Sequence, residues 1–288
     1  MNTRETILTQ VRAVPGLPVA TTEIVRMLED PDVEIGSVVR AIEHDPGLTS
    51  NVLRMSNSAY FAGPRSIGSV RDAIVRLGLN RVFQLALAAS VAPMAGAPLK
   101  GYDLSAGDLL DHSIAVALGA EKLAQALGLR PPPYTFTAAL LHDLGKVILG
   151  TFIEIDAKPI IALAFEHQVS FETAEEQVLG INHAEVGAVI LEQWNLPAPV
   201  VDVVRWHHQP DQHQGETLAL DLIHIADSLA TLSGIGAGKD GLNYRPSKES
   251  VTRLHITTRV NEEVVSHMLV ELEELRNVFA LVSGRKVQ

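Results

Sequence analysis

Apolar positions recur at helical spacing along nearly the whole chain. Residues 34–43 place Ile35, Val38, Val39 and Ile42 on one stripe, the three-and-four spacing of an amphipathic helix. Asp45-Pro46 predicts another helix start, with Asp45 as cap, Pro46 in the first turn, and Leu48, Val52, Leu53 and Met55 as its apolar residues. Upstream, Thr21 or Thr22 is the expected cap of a helix that runs to Leu28 and stops at Asp30-Pro31. Residues 70–77 and 81–91 predict two more helices, separated by Gly78 and Asn80. Pro93, Gly96, Pro98 and Gly101 then crowd residues 92–102, which marks a boundary between halves.

Longer helices follow. They are predicted over 108–127, which is Ala-rich and ends at Gly128, and over 135–149. Further helices are predicted over 160–169, 170–179 with Ser170 as cap, 184–194, 199–206, 218–232 and 261–281. The polar, Gly-rich stretch 234–247 is expected to be a mobile loop. No segment alternates like a strand between hairpin turns, so the fold class is all-α. Neither the glycine-rich phosphate loops nor the G-x-S-x-G nucleophile turn occurs.

Composition narrows the partners. Of the 288 residues, 47% are hydrophobic and 20% charged, an ordinary balance for a folded chain. Aromatics are only 5%, so core volume must come from Leu, Val, Ile and Ala, which suits helix packing. A net charge of −11 argues against a nucleic-acid surface, whose affinity rests on Lys and Arg against phosphates; no DNA or RNA partner is expected. Arg71, Arg76 and Arg81 read as a solvated face. Residues 1–15 lack the apolar run of a signal peptide. Residues 82–99, the most apolar stretch, are broken by Gln84, Ser90, Pro93 and Pro98, so no membrane contact and a cytoplasmic location are expected. There is no cysteine, so any metal must be held by His, Asp or Glu.

The second half holds such a set: His112, His142, Asp143, His183, His207, His208 and Asp227, each on or at the end of a predicted helix. Imidazole and carboxylate ligands suit Fe, Mn, Zn or Ni, and this set is large enough for one or two divalent ions. Helices far apart in sequence converge such groups in a bundle. Within 135–149, His142 and Lys146 are four apart and share a helix face, with Asp143 on the adjacent one, placed to bridge two ions. Gly145 permits a close backbone approach. A lone His on an apolar helix is usually a satisfied core residue, and His207-His208 also suits a helix C-terminus. Asp143 and Asp227 are embedded in apolar runs, and buried aspartates are rare unless paired or bound to metal. From the residues alone, core histidines and a metal set stay open as two readings.

The run from Ile42 to Thr49, with His44-Asp45-Pro46-Gly47, resembles the hallmark of HDOD domains, as do Asn51 to Tyr60, Ser69 to Ile74 and Leu77-Gly78. The likeness continues through His142-Asp143, Asn182 to Gly187, Trp194 to Pro197 and Trp206-His207-His208, covering about residues 10 to 235. It implies an HD-domain-like helical bundle with a helical N-terminal subdomain. The expected organisation is an N-terminal helical part over 10–100, an HD-like core over 101–235, and a loop with a C-terminal helical extension over 236–288. By the pattern of the HD superfamily, His112, His142, Asp143 and Asp227 match a first-metal set, and His183, His207 and His208 the further histidines of two-metal HD-GYP relatives. Lys146 matches the lysine of their His-Asp-x-Gly-Lys segment. The Gly-Tyr-Pro signature is absent, with Gln209-Pro210-Asp211 in its place, which argues against cyclic di-GMP hydrolysis.

The resemblance implies a bacterial signal-transduction module that binds metal and acts through signalling proteins. The alternative is a metal-dependent phosphohydrolase acting on a nucleotide or cyclic dinucleotide. There the metal would activate water for attack on phosphorus, Asp143 would bridge or orient, and Lys146 would stabilise charge on the phosphoryl oxygens.

Overall fold

Asp45 caps its helix as its sequence context demands, its Oδ1 accepting the Leu48 N–H at 2.9 Å. In this computed structural model the same logic recurs at Ser69, which accepts the Asp72 N–H, and at Asn182, which accepts the Glu185 N–H. The structure describes residues 3–27, 30, 32–58, 61, 63 and 65–283, with side chains to residue 276. Leu28, Pro31, Ala59 and Tyr60 of the sequence pattern lie outside the described residues. Among the described residues there is no strand, only one isolated bridge between Leu99 and Leu104.

The N-terminal helices are α2 (Val19–Met27), α3 (Ile35–Glu43), α4 (Pro46–Ser56), α5 (Val70–Leu77) and α6 (Leu79–Ala95), which pack on one another. Helix α2 starts at Val19, two residues before the expected Thr21 cap. Thr21 is buried instead, its hydroxyl 2.6 Å from that of Ser90 on α6. Helix α1 (Thr3–Val11) lies apart from this group and packs against the second half.

The second half is organised around α7 (Asp108–Ala126), in which every residue from Leu109 to Ala120 is buried. A helix apolar all round must be covered on all sides. It packs against α8 (Thr135–Leu141), α14 (Leu218–Leu232) and α16 (Thr258–Ser283). Around these lie α9 (Lys146–Ile155), α10 (Lys158–His167), α11 (Phe171–Leu179), α12 (His183–Gln193), α13 (Ala198–Trp206) and α15 (Lys248–Arg253). Helix α16 also reaches α4 and α6, so it touches both groups of helices. Thr135–Ile155 is the one described stretch long and apolar enough to cross a membrane, and its apolar window is 78% buried inside the fold.

That stretch is not the single helix predicted over 135–149. It breaks into α8 and α9 at a turn over residues 142–145. The His142 ring causes the break locally: its Nδ1 lies 2.7 Å from the Ala139 carbonyl, taking over an acceptor that continuing helix would use. His142 and Lys146 therefore do not share a helix face.

Candidate metal centre

The turn that ends α8 turns His142 and Asp143 toward α7, α12, α13 and α14. Gly145 makes the approach possible, because a Cβ at that position would collide with the His183 carbonyl oxygen at the start of α12. His207 repeats the His142 device at the end of α13, its Nδ1 lying 2.7 Å from the Val204 carbonyl. His112 comes from α7 and Asp227 from α14, both buried. His208 is partly buried beside His207. All seven residues singled out in the sequence thus meet in one place. Their ligand atoms fall into two groups, Asp143 with His183, His207 and His208, and His112 with His142 and Asp227, each within 4.8 Å.

Asp143 stands between the groups. Its Oδ2 lies 3.3 Å from His142 Nε2 and 3.6 Å from His112 Nε2. Its Oδ1 lies 3.4 Å from His183 Nε2 and 3.8 Å from His207 Nε2. The Nδ1 atoms of His112, His142 and His207 face the carbonyls of Ile235, Ala139 and Val204. Nδ1 of His183 faces the Glu175 carboxylate at 2.7 Å. Each Nδ1 is therefore a donor; His112 Nε2, 3.0 Å from Asp227 Oδ1, donates as well when its ring is charged, whereas a neutral ring at His142 or His207 turns an Nε2 lone pair toward Asp143. Accordingly His142 Nε2, His207 Nε2 and Asp143 Oδ1 are buried without a hydrogen-bond partner. Buried orphan acceptors facing one another are costly, and a shared cation satisfies all of them.

The titration shifts agree. Burial opposes the charge of Asp143, but neighbouring His142 and Lys146 hold its carboxyl well below the usual range. Asp227 is likewise low despite burial, through its hydrogen bond with His112. Burial, reinforced by the neighbouring histidines, pushes His207 and His208 well below the ordinary histidine value. Burial also works against charge on His112 and His183, but Asp227 and Glu175 outweigh it and raise both. Ionised carboxylates among imidazoles, two of which burial keeps neutral, form a donor set suited to a divalent transition metal.

The HDOD domain family model matches residues 14–210, about two thirds of the chain. The chain belongs to the HDOD domain family. An uncharacterized protein of Treponema pallidum (strain Nichols) is 28% identical over 203 residues, which are 70% of this HDOD chain and 39% of the relative. Ribonuclease Y of Thermus thermophilus is 27% identical over 181 residues, 63% of this chain and 24% of the relative. The HDOD chain therefore spans well under half the length of these curated relatives. A solved HDOD domain protein with unknown function from Geobacter sulfurreducens is 25% identical, with a TM-score of 0.70 over 99% of each chain.

Around the HDOD centre lie supporting residues, of which the sequence singled out Lys146 alone. Glu175 is fully buried and accepts from the backbone N–H of His183 (3.0 Å), from its Nδ1 (2.7 Å) and from the Tyr102 hydroxyl (2.6 Å). A carboxylate behind a ligating histidine fixes its tautomer and raises its basicity. His224 holds the His207 carbonyl through Nδ1 at 2.7 Å. Lys146 Nζ donates to Asp143 Oδ2 (2.6 Å) and to Asp240 Oδ2 (2.5 Å). The Tyr244 hydroxyl donates to Asp227 Oδ2 at 2.6 Å. Asp240 and Tyr244 belong to the stretch expected to be a mobile loop, which instead lies across the centre.

Proposed function

We propose that this chain is a signalling HDOD module with a two-ion metal centre, acting through protein partners rather than by turnover. The orphaned Nε2 atoms of His142 and His207, buried beside Asp143 with its own unpartnered Oδ1, carry the metal assignment. His112, His142 and Asp227 would hold one divalent ion, and His183, His207 and His208 the other, with Asp143 shared between them. Fe, Mn, Zn and Ni all suit this nitrogen-and-oxygen set. The signalling assignment rests on closure. The space bounded by Lys146, His183, His208, Asp227, Asp240 and Tyr244 amounts to about 10 Å³, too small for a substrate.

A second reading is a metal-dependent phosphohydrolase. It is favoured by the complete donor set and by the match to a relative named a ribonuclease, which makes an RNA phosphodiester one candidate substrate beside nucleotides and cyclic dinucleotides. A divalent ion, when bound, supplies Lewis acidity to water and to a phosphoryl oxygen. The chain's own part would be the Lys146 ammonium, held beside Asp143 and able to neutralise developing negative charge.

Metal analysis of untagged protein, paired with hydrolysis assays on bis-p-nitrophenyl phosphate, RNA and cyclic dinucleotides, separates the two. The signalling reading expects one or two ions per chain and the same negligible hydrolysis in wild type and Asp143→Ala. Hydrolysis that Asp143→Ala abolishes would establish the second reading. Less than about a tenth of an ion per chain after reconstitution with Fe, Mn or Zn would refute both, because a built site with two ionised carboxylates binds transition metals tightly.

A further inference from the structure

The segment from Gly234 to Ser247 is tied to the metal centre along its length. The Ile235 carbonyl accepts from His112 Nδ1 at 2.8 Å. Gly236, with φ of 59°, lets the backbone press on α7, where a Cβ would collide with the Asp108 carbonyl oxygen. Asp240 takes the Lys146 ammonium. Asn243 Nδ2 donates to the carbonyls of Ala164 (2.8 Å) and Val169 (3.1 Å), tethering the segment to α10 and the turn after it. Tyr244 donates to Asp227 and sets its ring edge-on to His208, with centroids 5.2 Å apart. The Ser247 N–H donates to His224 Nε2 at 2.8 Å.

Two of these contacts occupy functional groups of the centre. Lys146 is 3% exposed, and a buried ammonium needs anionic partners. It has Asp143 from the centre and Asp240 from the segment. The position of the Asp240 carboxylate, on an ammonium that also touches the shared Asp143, is where an oxygen of a bound phosphate would sit. Tyr244 closes the outer face of Asp227 in the same way.

We infer that residues 236–247 form a strap that competes with phosphate-bearing ligands: Asp240 stands in for a phosphate at Lys146, and such a ligand reaches the centre by displacing the strap. The inference rests on the metal reading above and adds its regulation. Exchange of one anion for another leaves Lys146 paired throughout, so phosphate occupancy and strap release are coupled, each favouring the other. The strap also has a route outward. Ser247 caps α15 by accepting the Ser250 N–H, and α15 leads into α16, which lies on α4 and α6 of the N-terminal helices. Release at Asp240 therefore loosens the attachment of a helix that spans both halves.

Hydrogen exchange on the full, Mn-loaded chain tests this, with inorganic phosphate as the probe and chloride at matched ionic strength as the control. Exchange over 236–247 should rise about tenfold at saturating phosphate while α7 and α14 stay protected. Asp240→Asn should bind phosphate about tenfold tighter than wild type by calorimetry, because the internal competitor is gone. Should Asp240→Asn fail to fold, Asn243→Ala cuts the tether away from the centre and should also tighten phosphate binding. Unchanged exchange over 236–247, or equal phosphate affinity in wild type and the folded variant, overturns the inference. Metal content measured on the same samples separates the failures. A chain that holds its ions but ignores phosphate refutes the strap alone, whereas a chain that takes up no ion refutes the metal reading and the strap with it.

Discussion

His183 and His208 face each other with their Nε2 atoms 2.7 Å apart. Glu175 commits the His183 Nδ1 proton, and Tyr244, whose own proton goes to Asp227, faces His208 Nδ1 at 3.2 Å. With both outer nitrogens acting as donors, two lone pairs meet at hydrogen-bond distance. They repel unless a proton or a metal ion lies between them or beside them. Around Asp143 the Nε2 atoms of His142 and His207 are likewise unpartnered, so the fold concentrates acceptor atoms in its interior at a cost that a proton or a bound metal ion offsets.

The two groups of ligand atoms predict a graded loss of metal. Wild type should hold about two ions per chain, in line with two adjacent donor sets. His183→Ala and Asp227→Ala should each leave about one ion, because each variant strips a different group. Asp143→Ala, which removes the shared carboxylate, should leave almost none. Plasma mass spectrometry on dialysed protein reads this directly. Loss of all metal in either single-group variant would show one cooperative cluster instead of two positions.

Glu175 should matter to metal although it touches none of the other ligands directly except His183. Glu175→Ala frees the His183 ring and strands the Tyr102 hydroxyl, so metal affinity should fall about 10–100-fold. Glu175→Gln keeps an acceptor for Nδ1 and should recover part of that loss, whereas a purely steric role would make the two variants alike. Competition with a fluorescent chelator measures the affinities.

The buried acids explain how far the sequence could be read. Asp143 and Asp227 stand out because each interrupts an apolar run, and burial of a carboxylate demands a partner. Glu175 obeys the same rule on the buried stripe of Phe171 and Ala174, but the polar composition of that helix concealed it. The break at residues 142–145 left no mark, because Leu141, Leu144, Val147 and Ile148 keep helical spacing across the turn. What breaks the helix is a side-chain bond from His142 that periodicity does not register. Asp240 and Tyr244 lie in a Gly-rich stretch with no period at all. Their positions are set by contacts with Lys146, 94 residues away, and with Asp227 on the preceding helix.

Metal binding should weaken on acidification. His112 and His183 hold their protons above the ordinary value of 6.5, because Asp227 and Glu175 outweigh the effect of burial. Metal and proton compete for the same Nε2 atoms, so uptake near pH 7 releases protons and affinity rises with pH. For the metal-free chain the signs are opposed. The raised pair, His112 and His183, contributes stability that is complete below about pH 6.5 and lost as pH rises through their folded values. The depressed pair, His207 and His208, costs stability as pH falls below about 6.5, since the unfolded chain then binds protons that the folded one refuses. The Tm difference between metal-loaded and stripped protein should therefore widen from about pH 5 to about pH 9. A constant difference would show that the metal does not share these histidines.

Gly145 offers a test of the scaffold that leaves every ligand in place. A Cβ there would collide with the His183 carbonyl and come 2.6 Å from the Gly187 amide nitrogen, both backbone atoms that no rotamer change can move. Gly145→Ala must push α9 off the start of α12, separating Asp143 from His183. The cost should be about 3 kcal/mol, a drop in Tm of about 6–12 °C. Gly16→Ala, at a position with open space around it, is the control and should change stability by no more than about 0.5 kcal/mol. Metal content then separates packing from site geometry. Gly145→Ala should lose ions from the group containing Asp143 and His183 while the folded chain persists at low temperature, whereas a variant that melts early yet keeps full metal would show that the close approach at Gly145 supports stability alone.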